Sequence, residues 1–253
     1  MSGGGLPPGL ADLLGYLGDL GYGDLYLRRA PAARPAAEVP QREAATAPPA
    51  SPARAATAPA PGDVPLSESA AALAALAAEA AVCTRCRLAQ GRHLVVFGSG
   101  DPAADLMFIG EGPGAEEDRQ GLPFVGPAGE LLTKIIQAMD LTRDQVYIAN
   151  VVKCRPPGNR DPQPEEVAAC RGYLERQIDL VKPRVIVALG KTAAQALLGN
   201  ESPVGRMRGQ WFAARGVPTL VTYHPAALLR NPALKRPTWD DMQQVRDHLR
   251  GAT

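Results

Sequence analysis

Short apolar runs alternate with amphipathic stretches along most of the chain. The apolar runs predict buried strands at residues 94–97, 106–109, 146–149, 185–189 and 220–223. Helical spacing of apolar residues predicts helices at residues 67–81, 130–139, 164–181, 191–198 and 237–250. Strands that alternate with helices predict an α/β fold in three layers, with a mostly parallel sheet of four to five strands between helices.

The first 66 residues follow a different pattern. Residues 1–30 contain leucines at helical spacing, but Gly15, Gly18 and Gly21 weaken any helix there. We expect a marginal helical segment that docks weakly or frays, and the alternative is a short helix in residues 6–27 that binds a protein partner. Residues 31–66 are rich in proline and alanine and lack aromatic side chains, which predicts a disordered linker. The folded domain is then expected to span residues 67–253.

Composition narrows the classes of function. The net charge of the 253 residues is +1, so any binding of nucleic acid must come from a local patch of basic residues. No apolar run is long enough for a membrane span, and the N-terminus lacks the features of a signal peptide. These observations predict a cytoplasmic protein.

A long loop follows the predicted strand at residues 106–109. It runs from Gly110 to Gly126 and is rich in glycine, proline and acidic residues. Loops between a strand and a helix usually contain about two to six residues, and ligands of open α/β sheets bind at the carboxyl ends of strands. The loop lacks the Lys-Ser/Thr pair of a P-loop, and its acids would repel phosphate. We therefore expect it to bind a ligand other than a phosphate group.

Polar side chains also follow other predicted strands. Asn150 ends one strand and His224 follows another, while Glu111 or Glu117 and the ring of Phe124 belong to the long loop. The carboxyl ends of parallel strands share one edge of a sheet, so these residues should converge. An aromatic face, a planar amide and an imidazole together suit a flat heterocycle.

The four cysteines predict a metal or cluster site. Cys83 and Cys86 form a C-x-x-C pair, and Cys154 and Cys170 can complete a set of four thiolates. Zinc and an iron–sulfur cluster both accept such a set, and the spacing does not separate them. A redox dithiol is an alternative for the first pair, although it leaves the other two cysteines unexplained.

A second dense stretch, YHPAALLRNP at residues 223–232, joins His224 to Leu228, Leu229 and Arg230. Two leucines beside a cation suit a DNA duplex from which one base has been turned out, because the apolar wedge fills the vacated stack and the cation meets a phosphate. The alternative is a plain turn with a short helix and two core leucines.

Three motifs carry a resemblance to a known family. GEGPGAEEDRQGLPFVGPAG, VYIANVVKCRPPGNRDP and YHPAALLRNP, in this order, resemble the iron–sulfur uracil-DNA glycosylases known as family 4, from about residue 83 to about residue 248. The resemblance implies a uracil-DNA glycosylase fold that acts on uracil-containing DNA, single- or double-stranded, in base excision repair. It also implies a structural 4Fe–4S cluster on all four cysteines: Cys83, Cys86, Cys154 and Cys170.

The same resemblance implies roles for the residues of the pocket. Phe124 would stack on uracil, Asn150 would pair with its O4 and N3–H, and His224 would face O2. Glu117 would exclude the methyl group of thymine. The backbone of the remaining pocket residues would line the cavity, namely Gly110, Glu111 and Gly112.

The position of the attacking water is less determined. Gly112 occupies the place where the best-known uracil glycosylases have an aspartate, so we expect Asn150, Glu111 or a backbone carbonyl to hold the water. The catalytic candidates are therefore His224, Asn150 and Glu111. Residues 203–210 lack the Lys/Arg-rich insertion of a related branch that bonds covalently to the abasic sugar, which predicts ordinary turnover.

Contacts to DNA are predicted from position alone. Arginines in loops near the mouth of the pocket are the candidates: Arg155, Arg160, Arg206, Arg208 and Arg230. We expect a monomeric enzyme. Two alternatives are a glycosylase-like module that binds damaged DNA or a polymerase without turnover, and a zinc protein of the same fold.

Overall fold

The parallel sheet predicted from the sequence lies at the centre of the computed structural model, which describes residues 68–251. The predictions for residues 1–30 and 31–66, and for a helix start at Ser67, lie outside the described residues. Among the helices of the described part, none is long and apolar enough to cross a membrane.

Six strands form the sheet of the described chain. They are β1 (Ser99–Gly100), β2 (Leu106–Gly110), β3 (Tyr147–Asn150), β4 (Val185–Leu189), β5 (Trp211–Ala214) and β6 (Val217–Thr222). Their order is β1-β3-β2-β4-β6-β5. The four central strands are parallel, whereas β1 and β5 pair antiparallel at the two edges. The expected four to five strands thus become six, in a mixed sheet.

Eight α-helices surround this sheet in the described residues. They are α1 (Glu68–Ala81), α2 (Ala115–Gln120), α3 (Pro127–Ala138), α4 (Pro164–Val181), α5 (Lys191–Leu198), α6 (Val204–Met207), α7 (Pro225–Arg230) and α8 (Lys235–Leu249). Four short 3₁₀ turns lie at Arg87–Gln90, Arg143–Gln145, Pro157–Asn159 and Pro232–Leu234. The bounds predicted for α4, β4 and α5 are confirmed.

Apolar side chains cover both faces of the sheet. Met107 and Ile109 of β2 belong to a core cluster that includes residues of α1, α4 and α5. Phe108 lies between them on the same strand and is fully buried as well. Because successive side chains of a strand point to opposite faces, burial of all three residues requires helices on both sides. The three-layer arrangement follows from this pattern.

One predicted strand is wrong, and the two edge strands, β1 and β5, were not predicted. Residues 94–97 do not form a strand. Val96 N donates a single backbone hydrogen bond to Lys153 O (2.8 Å), but the carbonyl of Phe97 accepts from the side chain of Gln177 and not from a neighbouring strand. The edge strand β5 has the sequence Trp-Phe-Ala-Ala, which is apolar throughout and lacks the alternation of apolar and polar residues that indicates a half-buried strand. It joins β6 through Arg215 and Gly216, which both have positive φ (52° and 80°), as a two-residue hairpin turn requires.

The long loop after β2 also contains more structure than predicted. Residues 115–120 form the helix α2, which begins within hydrogen-bonding reach of the Glu117 carboxylate and ends at Gly121. β2 lies at the centre of the sheet, with β3 on one side and β4 on the other. The chain passes from β2 to β3 on one side and then to β4 on the other, so the order in which strands are added to the sheet reverses at β2. Ligands of open α/β sheets bind at such a switch point.

Candidate active site

A cavity of about 450 Å³ opens where β2, β3, β4 and β6 end. Six residues that the sequence predicted for the pocket line its wall: Glu111, Gly112, Glu117, Phe124, Asn150 and His224. The expected convergence of strand ends is therefore observed in the described residues.

Gly110 lets two pocket side chains approach the end of β2. A Cβ atom on this residue would lie 2.5 Å from Asn150 Oδ1 and 2.5 Å from Phe124 Cζ, well inside van der Waals contact. Only a residue without a side chain allows the amide and the aromatic ring to meet over the strand end. Gly110 thus shapes the pocket without lining it through a side chain.

The carbonyl oxygen of the Asn150 side chain has no hydrogen-bond partner. Asn150 is 1% exposed, and within residues 68–251 its Oδ1 is the one buried side-chain nitrogen or oxygen without a partner. An unsatisfied buried acceptor costs about 1–3 kcal/mol. A ligand in the cavity that donates an N–H or O–H group would remove this cost.

Phe124 and His224 lie together at the cavity. Their ring centroids are 5.5 Å apart with an angle of 31° between the planes. Phe124 has φ of 52°, a backbone strain of about 1–3 kcal/mol for a residue that is not glycine. Strain of this kind is concentrated at ligand sites, and here it places the ring against Gly110.

His224 is held as a neutral imidazole. Burial and, to a smaller extent, the nearby positive charge of Arg230 lower its pKa to about 4, while the carboxylate of Glu117 acts in the opposite direction. Its Nδ1 accepts a hydrogen bond from Ala226 N (3.1 Å) at the start of α7. A neutral imidazole that accepts at Nδ1 carries its proton on Nε2, so Nε2–H is left as a donor.

The Glu117 carboxylate organises the loop around the cavity. Its Oε1 accepts from the N–H groups of Val125 and Gly126 (3.0 Å each), and its Oε2 accepts from Gly114 N at 3.1 Å. These bonds join the start of α2 to the start of α3. The sequence prediction for Glu117 concerned the base alone and missed this role in the loop.

Glu111 contacts the start of α5, the helix that follows β4. Its carboxylate accepts a hydrogen bond from the Thr192 hydroxyl, and burial raises the pKa of the carboxyl above its usual value. A Cβ atom on Gly112 would lie 2.8 Å from Val152 Cγ2, so an aspartate could not be placed there without displacing that valine.

The four cysteines line one small cavity, separate from the first. Cys83, Cys86, Cys154 and Cys170 share it with basic and apolar side chains. Cys154 Sγ accepts from Arg92 Nη1, and Cys170 Sγ accepts from Lys153 N, both at 3.3 Å. In the described residues, no three His, Cys, Asp or Glu side chains are grouped to hold a single metal ion. The donor set, four sulfurs with N–H groups directed at two of them, nevertheless fits the thiolate ligands of a cluster.

Comparison with known proteins places this site in a family. Residues 97–243 match the model of the uracil DNA glycosylase superfamily. A type-4 uracil-DNA glycosylase of Sulfurisphaera tokodaii is 45% identical over 174 residues, which are 65% of this chain and 79% of that protein. This chain belongs to the type-4 uracil-DNA glycosylases.

Further members of the type-4 family show similar agreement. The type-4 uracil-DNA glycosylase of Saccharolobus solfataricus is 42% identical over 183 residues, 69% of this chain and 85% of that protein. That of Thermotoga maritima is 44% identical over 174 residues, 66% of this chain and 90% of that protein. The family resemblance inferred from three motifs is confirmed.

The five arginines predicted to contact DNA differ in their surroundings. Arg160 lines the cavity and forms a two-bond ion pair with the buried Glu166 (2.7 and 2.8 Å). Arg208 bonds to the buried Asp241, and Arg155 bonds to Asn159. Arg206 and Arg230 are exposed, and Arg230 lines the cavity. DNA binding by these residues remains a prediction for this type-4 family member, with a structural role beside it for Arg160 and Arg208.

The two leucines of the predicted wedge have different environments. Leu228 is 1% exposed and belongs to the core, whereas Leu229 is 49% exposed. Both lie on α7, which His224 caps at its start. A wedge of two leucines is therefore wrong, and Leu229 alone protrudes.

Sequence reasoning missed three residues that follow β4, at the cap and in the first turn of α5. Gly190 has φ of 89°, and a Cβ atom there would lie 3.0 Å from His224 Cβ. Lys191 is an exposed cation on the cavity wall, and Thr192 holds Glu111. The position of Gly-Lys-Thr directly after a predicted strand was a signal that could have indicated them.

Proposed function

We propose that this chain is a uracil-DNA glycosylase that turns uracil out of DNA and hydrolyses its N-glycosidic bond, leaving an abasic site in base excision repair. The observation that carries the proposal is the unpartnered Asn150 Oδ1, buried at a cavity beside the Phe124 ring and the His224 imidazole. Membership of the type-4 family supports it. Single-stranded and duplex DNA that contain uracil are both proposed as substrates.

Uracil matches the polar groups of the cavity. Its N3–H would donate to Asn150 Oδ1, its O4 would accept from the amide nitrogen, and its face would lie on Phe124. Cytosine has an acceptor at N3 and a donor at C4, so the amide held as it is would face like groups. A site built for one hydrogen-bond pattern rejects the reversed pattern because buried groups are left unpaired.

His224 supplies the catalytic donor in this proposal. Cleavage of the bond to C1′ leaves negative charge on the uracil ring, chiefly at O2. A neutral imidazole with its proton on Nε2 can donate to that oxygen, and a donor fixed before the reaction stabilises the charge where it develops. Water then adds at C1′, with Glu111 or Asn150 as the group that orients it. The Glu117 side chain would exclude the thymine methyl group.

We also propose that Cys83, Cys86, Cys154 and Cys170 hold a 4Fe–4S cluster. When bound, the cluster supplies a structural cross-link between the end of α1, the segment after β3 and α4. Iron and sulfide analysis of protein purified without oxygen tests this, with zinc as the alternative. Four irons per chain are expected, and one zinc without iron would contradict the cluster.

The DNA would meet the cavity mouth. Leu229 protrudes from α7, the helix that also contributes Arg230 to the cavity wall, and the charge of Arg230 is exposed beside the cavity. An apolar side chain can replace an extruded base in the stack while a cation contacts a phosphate. A monomer suffices for this geometry because one chain provides every group named.

The test is alkaline cleavage of labelled oligonucleotides that carry one uracil opposite guanine, opposite adenine or unpaired. A matched thymine oligonucleotide and a His224→Ala variant are the controls. We expect cleavage at uracil alone, with the variant slower by at least about a hundred-fold. Binding without cleavage would contradict the proposal and favour a module that recognises damaged DNA.

A further inference from the structure

Lys153 is a buried cation between the two sites. It is 2% exposed, and its Nζ donates to the backbone carbonyl of Asn150 (2.7 Å) and to Gln177 Oε1. Its own backbone N–H donates to Cys170 Sγ at 3.3 Å, and the next residue is Cys154. One residue thus contacts the base-binding side and the four-cysteine side.

The partners of this ammonium group are neutral. None of the ion pairs found within residues 68–251 includes Lys153. A buried charge with neutral partners alone is costly. Cysteines that bind a metal cluster do so as thiolates, so the neighbouring site brings the compensating negative charge.

The carbonyl of Asn150 needs a partner from outside the sheet. β1 pairs with β3 at Tyr147 and Ile148 and extends no further. On the other side, Val151 N and Val152 N donate to the carbonyls of Gly110 and Glu111 (2.9 and 3.1 Å). The Lys153 ammonium therefore donates the hydrogen bond to the Asn150 carbonyl that β1 is too short to provide. The turn after Asn150 is held by Lys153 on one side and by the segment after β2 on the other.

Gln177 is the second hydrogen-bond partner of the Lys153 ammonium group. It is fully buried on α4, and its Nε2 donates to the Phe97 carbonyl (2.9 Å) and to the Tyr147 hydroxyl (3.2 Å). The same helix carries Cys170 seven residues earlier. The position of the Lys153 side chain is therefore defined by the helix that bears a cluster ligand.

We propose that Lys153 is a positioning residue that couples the four-cysteine site to Asn150, so that an intact cysteine site fixes the amide that reads the base. This inference rests on the proposed glycosylase function. It predicts that Lys153 acts on excision through Asn150, and that removing its charge also changes the environment of the cluster.

A double-mutant cycle tests the coupling. Full-length, cluster-loaded protein is compared as wild type, Lys153→Met, Asn150→Ala and the double variant, by single-turnover excision of uracil. Lys153→Met is expected to lose roughly ten- to a hundred-fold, the range for residues that orient a functional side chain. In the Asn150→Ala background the same change is expected to cost less than about two-fold, because groups that act as a unit are not additive.

Two measurements other than activity separate this coupling from a general loss of structure. Calorimetry should show weaker binding of free uracil to Lys153→Met, and voltammetry should show a more negative reduction potential of the cluster because a nearby cation is lost. Arg92→Met is the matched control, since Arg92 donates to Cys154 Sγ and has no bond to Asn150 among its hydrogen bonds. Any loss of rate in that variant should persist in the Asn150→Ala background.

Three outcomes would overturn the inference. Lys153→Met could excise within two-fold of wild type, or its loss could be the same in both backgrounds. Should Lys153→Met fail to fold or to bind iron, Gln177→Leu replaces it, and a wild-type rate for Gln177→Leu would overturn the inference as well. Wild-type protein that cannot excise uracil would instead refute the proposed function.

Discussion

At the scale of single residues, two features of the pocket destabilise the free protein, and a role in ligand binding explains both. Asn150 Oδ1 is buried without a partner, and Phe124 has positive φ. Each feature destabilises the free protein by about 1–3 kcal/mol. A planar ligand with an N–H donor would satisfy Asn150 Oδ1 and would stack on the Phe124 ring that the strained backbone holds in place. We therefore assign both features to base recognition.

Asn150→Ala should therefore separate stability from activity. The change removes an unsatisfied acceptor at the wall of an open cavity, so the free energy of unfolding should stay the same or rise by up to about 2 kcal/mol. Excision of uracil should fall at least about a hundred-fold. Urea denaturation and single-turnover assays measure the two effects, and a parallel fall in both would contradict this assignment.

His224 predicts the pH dependence of excision. Its folded-state pKa is about 4, below the ordinary value of 6.5, so the imidazole stays neutral and the rate should be constant from pH 8 to about pH 5. Between pH 6.5 and 4 the unfolded chain binds a proton that the folded chain does not. The stability contributed above pH 6.5 is therefore lost as the pH falls.

Glu111 is a second group that gains a proton as the pH falls, and burial raises the pKa of its carboxyl above the usual value. A Glu111→Gln variant is the control for this group. It should keep the same flat profile above pH 5, whatever its absolute rate. A rate that follows a titration near pH 6.5 in both proteins would show that His224 is not held neutral.

At the scale of elements, strand ends and helix starts place the chemistry. β2 ends where glycine lets Asn150 and Phe124 approach, β3 ends at Asn150, and α7 begins at the His224 cap. Glu117 joins the starts of α2 and α3 through three backbone N–H groups. The backbone positions of Asn150 and His224 are therefore set by the regular elements that end or begin at them.

Gly110→Ala tests the close approach at the end of β2. The new methyl group would lie 2.5 Å from two pocket atoms, so Asn150 and Phe124 must move, and displacements of about 1 Å can cost a hundred-fold in rate. Gly172→Ala on α4 is the matched control, because nothing lies within 4 Å of its Cβ position. It should keep wild-type activity and gain about 0.5–1 kcal/mol of stability. Equal activity of the two variants would refute the crowding argument.

Arg230, at the end of α7, is expected to contact a DNA phosphate. Arg230→Ala should lower the slope of log Kobs against log[salt] by about 0.9 for duplex DNA, with a similar effect on every sequence. Arg184→Ala is the control. Arg184 directly precedes β4, so it lies at the amino end of the strand, away from the cavity at the carboxyl ends, and it pairs with Asp105. Fluorescence anisotropy over a salt series gives both slopes, and an unchanged slope for Arg230→Ala would exclude that contact.

At the scale of the whole molecule, the sequence predicted the features that depend on residues close together along the chain, and it did not predict contacts between distant residues. The parallel strands and the convergence of Asn150 and His224 were predictable because apolar runs identify strands and parallel strands end at one edge. The Lys153–Gln177 and Thr192–Glu111 contacts were not, since they join residues 24 and 81 positions apart. The edge strand β5 lacked a periodic pattern. The domain limits and the partner of residues 6–27 stay predictions, and deletion of residues 1–66 should leave excision on short DNA intact.

The central claim is that a ring N–H of uracil satisfies the buried Asn150 Oδ1. Calorimetric titration of the wild-type protein with uracil and with 3-methyluracil, which lacks that N–H, tests it most directly. Uracil should bind about five- to 150-fold more tightly, which corresponds to the cost of about 1–3 kcal/mol for one unsatisfied buried group, and the difference should shrink in Asn150→Ala. Equal affinities for the two bases in the wild type would contradict the claim.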